Sequence, residues 1–514
     1  MTSFRLPLTI ASALAALCLT GCRVGPHYQR PPALAQAPPA AYKETPAQSP
    51  DSNGWKVAQP QDAMLHGKWW EIYNDPELNT LEDKLNIDNQ TIKQYFENFM
   101  EARTLIAQAR SQLFPTVSFG PSYTHSESSA NAGSGAAAAA GISTSATVAK
   151  NNQSGLITLP FEASWEPDLW GRVRNTIREY QYNAQVSEAD LENERLTEQA
   201  SLATYFFEIR GQDALQAILD QTVADDQKAL DYTRAQYDTG VGQEISVVEA
   251  ENTLENAQAQ ATSLGVARAQ FEHAIAVLVG VDPSTFSIPV RALNATPPPI
   301  PVGVPSQLLE RRPDIAASER TMASANAQIG VADAAFYPTL TLNAEAGLES
   351  STLKHLFDWS SRFWSVGPSV SQTIYDGGLR RATVNQYVET YNADVASYRQ
   401  TVLTAFQQVE DYLASVRILS QQMQLQQSAA QSAQHFVDLE TARYQTGIDP
   451  YIDVVTAQTT LLSDQQTLAT VHTQEMTASV QLIMALGGGW DSTQLPTPAQ
   501  VSQRLTPAER TIQK

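Results

Sequence analysis

The chain has 514 residues with 33 Lys and Arg against 54 Asp and Glu, a formal charge of −21. So acidic a surface gains nothing from counterion release on a polyanion, which excludes a nucleic-acid partner, and 42% hydrophobic residues exclude wholesale disorder. Both cysteines, Cys18 and Cys22, lie in the first 22 residues, so the body holds no disulfide scaffold, thiolate metal site or cysteine nucleophile, and the seven scattered histidines form no HExxH or close pair.

Residues 1–21 read as a signal peptide: Arg5, then an apolar run from Leu6 to Leu19 that contains Pro7 and is too short to span a bilayer. It ends in Leu19-Thr20-Gly21-Cys22, which resembles a bacterial lipobox; the expectation is cleavage before Cys22 and a covalent lipid on its sulfur. Residues 22–65, with prolines at 26, 31, 32, 38, 39, 46, 50 and 60, suit a lipidated tether.

The body repeats itself. Leu230–Ala250 aligns without gaps on Val437–Ala457 at an offset of 207, with nine identities including Tyr237/Tyr444, Thr239/Thr446 and Gly240/Gly447. This divides the chain into a first repeat (66–280), a Pro-rich linker (281–305), a second repeat (306–489) and a C-terminal tail (490–514). The Gly/Ala/Ser-rich stretch 126–154 accounts for the greater length of the first copy.

Each repeat opens with a helical segment, 78–113 and 306–336. Period-two alternation follows, predicting four strands at 115–123, 156–165, 340–346 and 366–375, with Ile157, Leu159, Phe161, Ala163 and Trp165 on one apolar face. Aromatics at 165, 170, 359, 363, 364 and 375 have the distribution of an interfacial belt. Four strands cannot close a membrane barrel, for which about eight is the minimum, so closure requires several chains: two would give eight strands and three twelve.

Proline-free stretches rich in Ala, Gln, Glu and Leu then predict long helices over 172–238 and 379–446, returning after Thr239-Gly240-Val241-Gly242 and Thr446-Gly447-Ile448-Asp449-Pro450. At 1.5 Å per residue the long arms measure about 100 Å and the return helix 243–280 about 57 Å. Stacking each opening helix end to end on its return helix makes up the difference.

The segments Val24-Gly25-Pro26-His27-Tyr28, Trp69-Trp70-Glu71-Ile72-Tyr73-Asn74-Asp75-Pro76-Glu77-Leu78, Trp165-Glu166-Pro167-Asp168-Leu169-Trp170-Gly171, Leu308-Leu309-Glu310-Arg311-Arg312-Pro313-Asp314-Ile315 and Ile374-Tyr375-Asp376-Gly377-Gly378 resemble the outer membrane efflux proteins of the TolC type, in their NodT-like lipoprotein branch. The resemblance implies a mainly α fold with a membrane β part: a homotrimer whose twelve strands form an outer-membrane barrel on a periplasmic α-helical barrel. It also implies a lipid-anchored duct in a Gram-negative bacterium, passively exporting drugs or other toxic small molecules. An inner-membrane RND transporter and a periplasmic adaptor (membrane fusion protein) would deliver them.

No GxSxG, Walker or dinucleotide fingerprint occurs in a strand-to-helix context, so the reading is of a non-enzyme without cofactor or metal. The resemblance places the turns Tyr237, Gly240, Val241 and Tyr444, Gly447, Ile448 at the adaptor-docking tip. It makes Glu249, Asp449 and Asp453 candidate gate carboxylates, although Thr456 stands where TolC-type gates carry a second Asp. Residues 172–280 hold 18 acids and eight bases, which favours cations in a pore. Two competing readings are a TolC-like duct for type I protein secretion and a non-conducting coiled-coil envelope lipoprotein.

Overall fold

The computed structural model describes residues 23–34, 42–44, 67–127, 153–300 and 308–503. The signal peptide and Cys22 lie outside the described residues, as does most of the Gly/Ala/Ser-rich stretch. The chain divides into two compact units, one comprising residues 1–29, 103–181 and 323–392, the other 30–102, 182–322 and 393–514.

The first unit is built on one antiparallel sheet. Its strands are β1 (Thr116–Phe119), β2 (Ser122–Glu127), β3 (Gln153–Trp165), β4 (Thr339–Ser350) and β5 (Arg362–Ser371). They form four lanes, with β1 and β2 both on β3, then β4 and β5. The predicted first strand is interrupted at Gly120-Pro121. Pro121 and Pro160 have no N–H to give the ladder, and a bond from Gly120 N to Pro160 O at 3.4 Å carries the lane across the gap. The fourth strand begins and ends four residues earlier than expected, because the Ile374–Gly378 motif is a strand-to-helix turn.

Register sorts the side chains cleanly. Val117, Ala163, Ala344 and Val366 are cross-strand neighbours, as are Phe119, Phe161, Ala346 and Trp364. The intervening positions pair Ser118 with Glu162, Glu162 with Glu345, and Ser164 with Asn343. Since successive side chains alternate, the sheet has one apolar and one polar face. The predicted Ile157-to-Trp165 stripe lies on the apolar one. Val117, Phe119, Trp364 and Val366 are nevertheless exposed, at 71%, 52%, 78% and 73%.

Two turns lead from this sheet into long helices by the same device. Asp168 accepts from Val173 N and Arg174 N (3.1 and 3.0 Å) and pairs with Arg174; Asp376 accepts from Gly378 N and Arg380 N (3.0 and 3.3 Å) and pairs with Arg380. Gly171, Gly377 and Gly378 supply the positive φ these turns need. The indoles of Trp165 and Trp170 donate to Leu113 O and Pro338 O, so these two predicted belt aromatics fasten chain connections. Val24-Gly25-Pro26 also docks here: Gly25 (φ 107°) lies so close to Gly330 that any Cβ would meet its Cα at 2.5 Å.

The second unit is helical. Its principal elements, some shared with the sheet unit, are α1 (Pro76–Asp88), α2 (Gln90–Ser111), α3 (Arg172–Asp238), α4 (Glu244–Leu278), α5 (Pro313–Ala334), α6 (Leu379–Gln445) and α7 (Tyr451–Ala485). The long arms α3 and α6 are 67 residues each, and the return helices α4 and α7 are 35 each. No helix among the described residues is long and apolar enough to cross a membrane. The core centres on Trp69, Trp70, Leu78, Leu85, Phe206, Phe207, Ile275, Met476 and Ile483.

End-to-end stacking occurs, with both opening helices broken at the joint. Asn89 separates α1 from α2; its amide donates to Leu278 O, the end of α4 (2.9 Å), while its oxygen caps Ile92 N (2.9 Å). At the second joint Arg312 donates to Ala485 O, the end of α7 (3.0 Å), and to Gln408 (2.9 Å), and is held by both oxygens of Asp314. Gly487 lies directly against Arg311 O. The Arg-Arg-Pro-Asp core of the sequence motif is thus the joint itself.

The described parts of the N-terminal segment, the Pro-rich segment and the C-terminal tail pack on this unit. Tyr42 is buried, and Lys43 N and Glu44 N both donate to the Glu410 carboxylate (2.8 and 3.0 Å). In the Pro-rich segment, Ile288 and Leu293 are core residues. Arg268 and Arg210 bind Ile288 O and Pro289 O, and Asp213 accepts from Arg291 N. After 489, Trp490, Leu495 and Val501 are buried.

Candidate functional site at the hairpin turns

The turns joining α3 to α4 and α6 to α7 have one backbone. Gly240 N donates to Tyr237 O and Val241 N to Gln236 O; 207 residues later Gly447 N donates to Tyr444 O and Ile448 N to Arg443 O. Each is a helix stop closed by a left-handed glycine, φ 77° at Gly240 and 75° at Gly447. Thr239 and Thr446 hydroxyls bond back to the last-turn carbonyls of Ala235 and Ala442. Pro450 takes the N-cap position of α7.

The predicted docking residues divide. Tyr237, Val241 and Ile448 are exposed, at 46%, 81% and 64%, and with Ile245 and Ile452 they leave apolar surface around both turns. Tyr444 instead faces inward. Its hydroxyl donates to Gln236 Oε1 at 2.6 Å, and its ring meets Tyr232 edge-on at 5.9 Å and Tyr451 at 5.3 Å. Beneath these contacts Leu230, Ala250 and Leu254 of the first hairpin pack on Tyr451 and Val454 of the second. The two hairpins are therefore held together here by one hydrogen bond over an apolar plug.

The predicted carboxylates do not form one group. Asp449 is bound by Nε and Nη2 of Arg443, which hold its carboxyl below the usual range. Asp453 gathers with Asp449 and with Glu440, their nearest oxygens lying within 4.8 Å of one another. Desolvation first, and then Asp449, push Glu440 above its usual range. Glu249 lies apart from this group, near Tyr451, whose hydroxyl feels its charge. Gln236, Glu440 and Arg443 escaped sequence reading: the repeat register singles out turn positions identical in the two copies, whereas Arg443 corresponds to Gln236 and Glu440 to Thr233 at the same offset.

The chain thus combines a four-lane sheet that exposes its apolar face with two helical hairpins of matching length. The sequence profile described as outer membrane efflux protein matches residues 83–281 and 304–488. The chain belongs to the outer membrane efflux protein family. It is 29% identical over 488 residues to the probable efflux pump outer membrane protein TtgC of Pseudomonas putida, covering 94% of this chain and 95% of that one. To the outer membrane protein OprJ of Pseudomonas aeruginosa it is 29% identical over 486 residues, covering 94% and 96%. Among solved structures, the outer-membrane channel OprN superposes with a TM-score of 0.79 at 25% identity, covering 91% of this chain and all of that one. The open-state MtrE channel of Neisseria gonorrhoeae shares the fold, with a TM-score of 0.74 at 22% identity over 92% of this chain and 99% of that one. The protein is thus an outer-membrane channel component of an efflux pump, a transport protein in function.

Proposed function

We propose that three copies of this chain close their sheets into a twelve-stranded barrel in the outer membrane. On this reading the helices line a periplasmic tube, and the chain is two tandem repeats behind a signal peptide and a lipidated Cys22. The observation that carries the proposal is the register of the sheet: its residues sort onto an apolar and a polar face, while the β1/β2 and β5 edges have no partner strand among the described residues. An apolar face with open edges is unsatisfied in lipid unless neighbouring copies complete the hydrogen-bond ladder. Two chains would also suffice by strand number, and the TolC-type resemblance selects three.

In this assembly the exposed apolar residues around Gly240 and Gly447 dock a periplasmic adaptor, and an RND transporter supplies the energy. Gln236–Tyr444 and the apolar plug hold the tip together. Asp453 and Glu249, repeated around the axis, favour cations over anions, whereas Asp449 is neutralised by Arg443. The chain provides no chemical step; toxic small molecules pass through it. The antibiotic, toluene and solvent efflux named for relatives from Pseudomonas putida favours small-molecule export over protein secretion.

Deletion of the gene followed by susceptibility testing across cationic, neutral and anionic toxins tests the function. The expected result is hypersensitivity to several, restored by the parent gene; unchanged susceptibility contradicts it. Native mass spectrometry of the detergent-extracted protein tests the trimer, and labelled palmitate incorporation lost in Cys22→Ser tests the anchor.

A further inference from the structure

The core-facing side of α3 near its turn runs Leu219, Val223, Asp226, Leu230, Thr233, with alternating steps of four and three, the spacing of a coiled-coil seam. Leu219, Leu230 and Thr233 are 2%, 4% and 1% exposed, and Asp226 is as deeply buried at 3%. A carboxylate therefore occupies a packing position. Its Oδ2 has no hydrogen-bond partner. At the equivalent position of the second hairpin, 207 residues on, stands Ala433, also buried. The backbone accepts an apolar residue there, so the acid is not imposed by the fold.

The residues flanking Asp226 on its helix face, Val223 and Leu230, belong to the plug that joins the hairpins through Ala250, Leu254, Tyr451 and Val454. The groups whose charge reaches Asp226 or Tyr451 are Asp225 on the same helix, Glu249 on α4 and Tyr444 on α6. None is a base, and Lys228, two residues away, is paired with Asp225 at 2.8 Å. Ionised Asp226 is thus an uncompensated charge in an apolar contact, while protonated Asp226 is tolerated.

We propose that Asp226 is a proton-operated latch on the contact between the two hairpins, closing the tip when protonated and loosening it when ionised. This rests on the reading of the tip as the end of a conduit. Desolvation, reinforced by Asp225, raises the carboxyl from 3.8 to about 6. The sign follows: a group whose affinity for protons is higher in the packed tip stabilises that packing as pH falls through about 6 towards 4 and ceases to do so above. Separating the hairpins returns Asp226 to water; regaining even one pH unit of acidity shifts the packed-to-loosened ratio about tenfold.

The test uses the full chain in planar bilayers at pH 7.5 and 5, beside amide hydrogen exchange of residues 223–254 corrected for the intrinsic rate. In the parent protein, conductance falls about tenfold at the lower pH and exchange slows correspondingly. Asp226→Asn and Asp226→Ala remain at the parent's acidic level at both values. A parent that conducts without pH dependence, or an Asp226→Asn variant that follows the parent's pH curve, overturns the latch and leaves the conduit standing. A folded parent that never conducts overturns the conduit reading, and hydrogen exchange alone then decides whether the contact answers to Asp226.

Discussion

The first hairpin (α3–α4) and the second (α6–α7) have equal arms and the same turn hydrogen bonds, yet differ in the charges at their joints, their turns and one seam position. At the joints with the opening helices, a neutral Asn89 does for α4 what the Arg312–Asp314 pair does for α7. At the turns, Arg234 reaches Glu251 across the first hairpin, whereas Arg443 draws in Asp449 beside Glu440 and Asp453. In the seam, Asp226 faces the plug where the second hairpin has Ala433. Helix length and glycine placement are constrained by the backbone both hairpins must build; the charges are free to specialise.

Breaking the shared feature has the largest effect. Gly447→Pro demands φ near −65° where the turn has 75° and removes the N–H that binds Tyr444 O. We expect complete loss of efflux-dependent resistance with the protein still in outer-membrane fractions; retained resistance would show that the turn has no part in docking.

The joints come next. Arg312→Leu strands Asp314, Gln408 and the end of α7, at a cost of about 3–5 kcal/mol. Asn89→Ala loses the bonds to Leu278 O and Ile92 N and a longer one to the Glu198 carboxylate, about 1–3 kcal/mol. Denaturant unfolding of the two variants checks this ordering, and equal losses would erase the distinction between the joints. At the turns, Asp453→Ala should lower cation preference roughly twofold and Arg443→Ala, by unmasking Asp449, should raise it. Reversal potentials separate the two, and changes of the same sign would refute the neutralising role of Arg443. The smallest effect is that of Tyr444→Phe, about 1 kcal/mol from the lost bond to Gln236, read as faster amide exchange on either side of the turns.

Much of this was legible in the sequence because it rests on local rules. Alternation exposed the strands, proline-free composition the helices, and a gapless offset of 207 both turns. What escaped is relational. The break at Gly120 needs Pro160 from another strand to explain it, and the helix joint at Asn89 depends on Leu278, 189 residues away. Tyr444 reads as a surface tip residue until Gln236 is seen to receive its hydroxyl. Asp226 lies in a seam position that spacing alone identifies, but only its burial separates it from the many acids on the solvated face of the same helix.

The proposed conduit prefers cations. Its most direct test is the reversal potential of the purified full-length protein in a planar bilayer under a tenfold KCl gradient. Discrete conductance steps and a reversal potential displaced towards that of potassium are expected. Folded protein that inserts without conducting, or conducts with a reversal potential at zero, would contradict it.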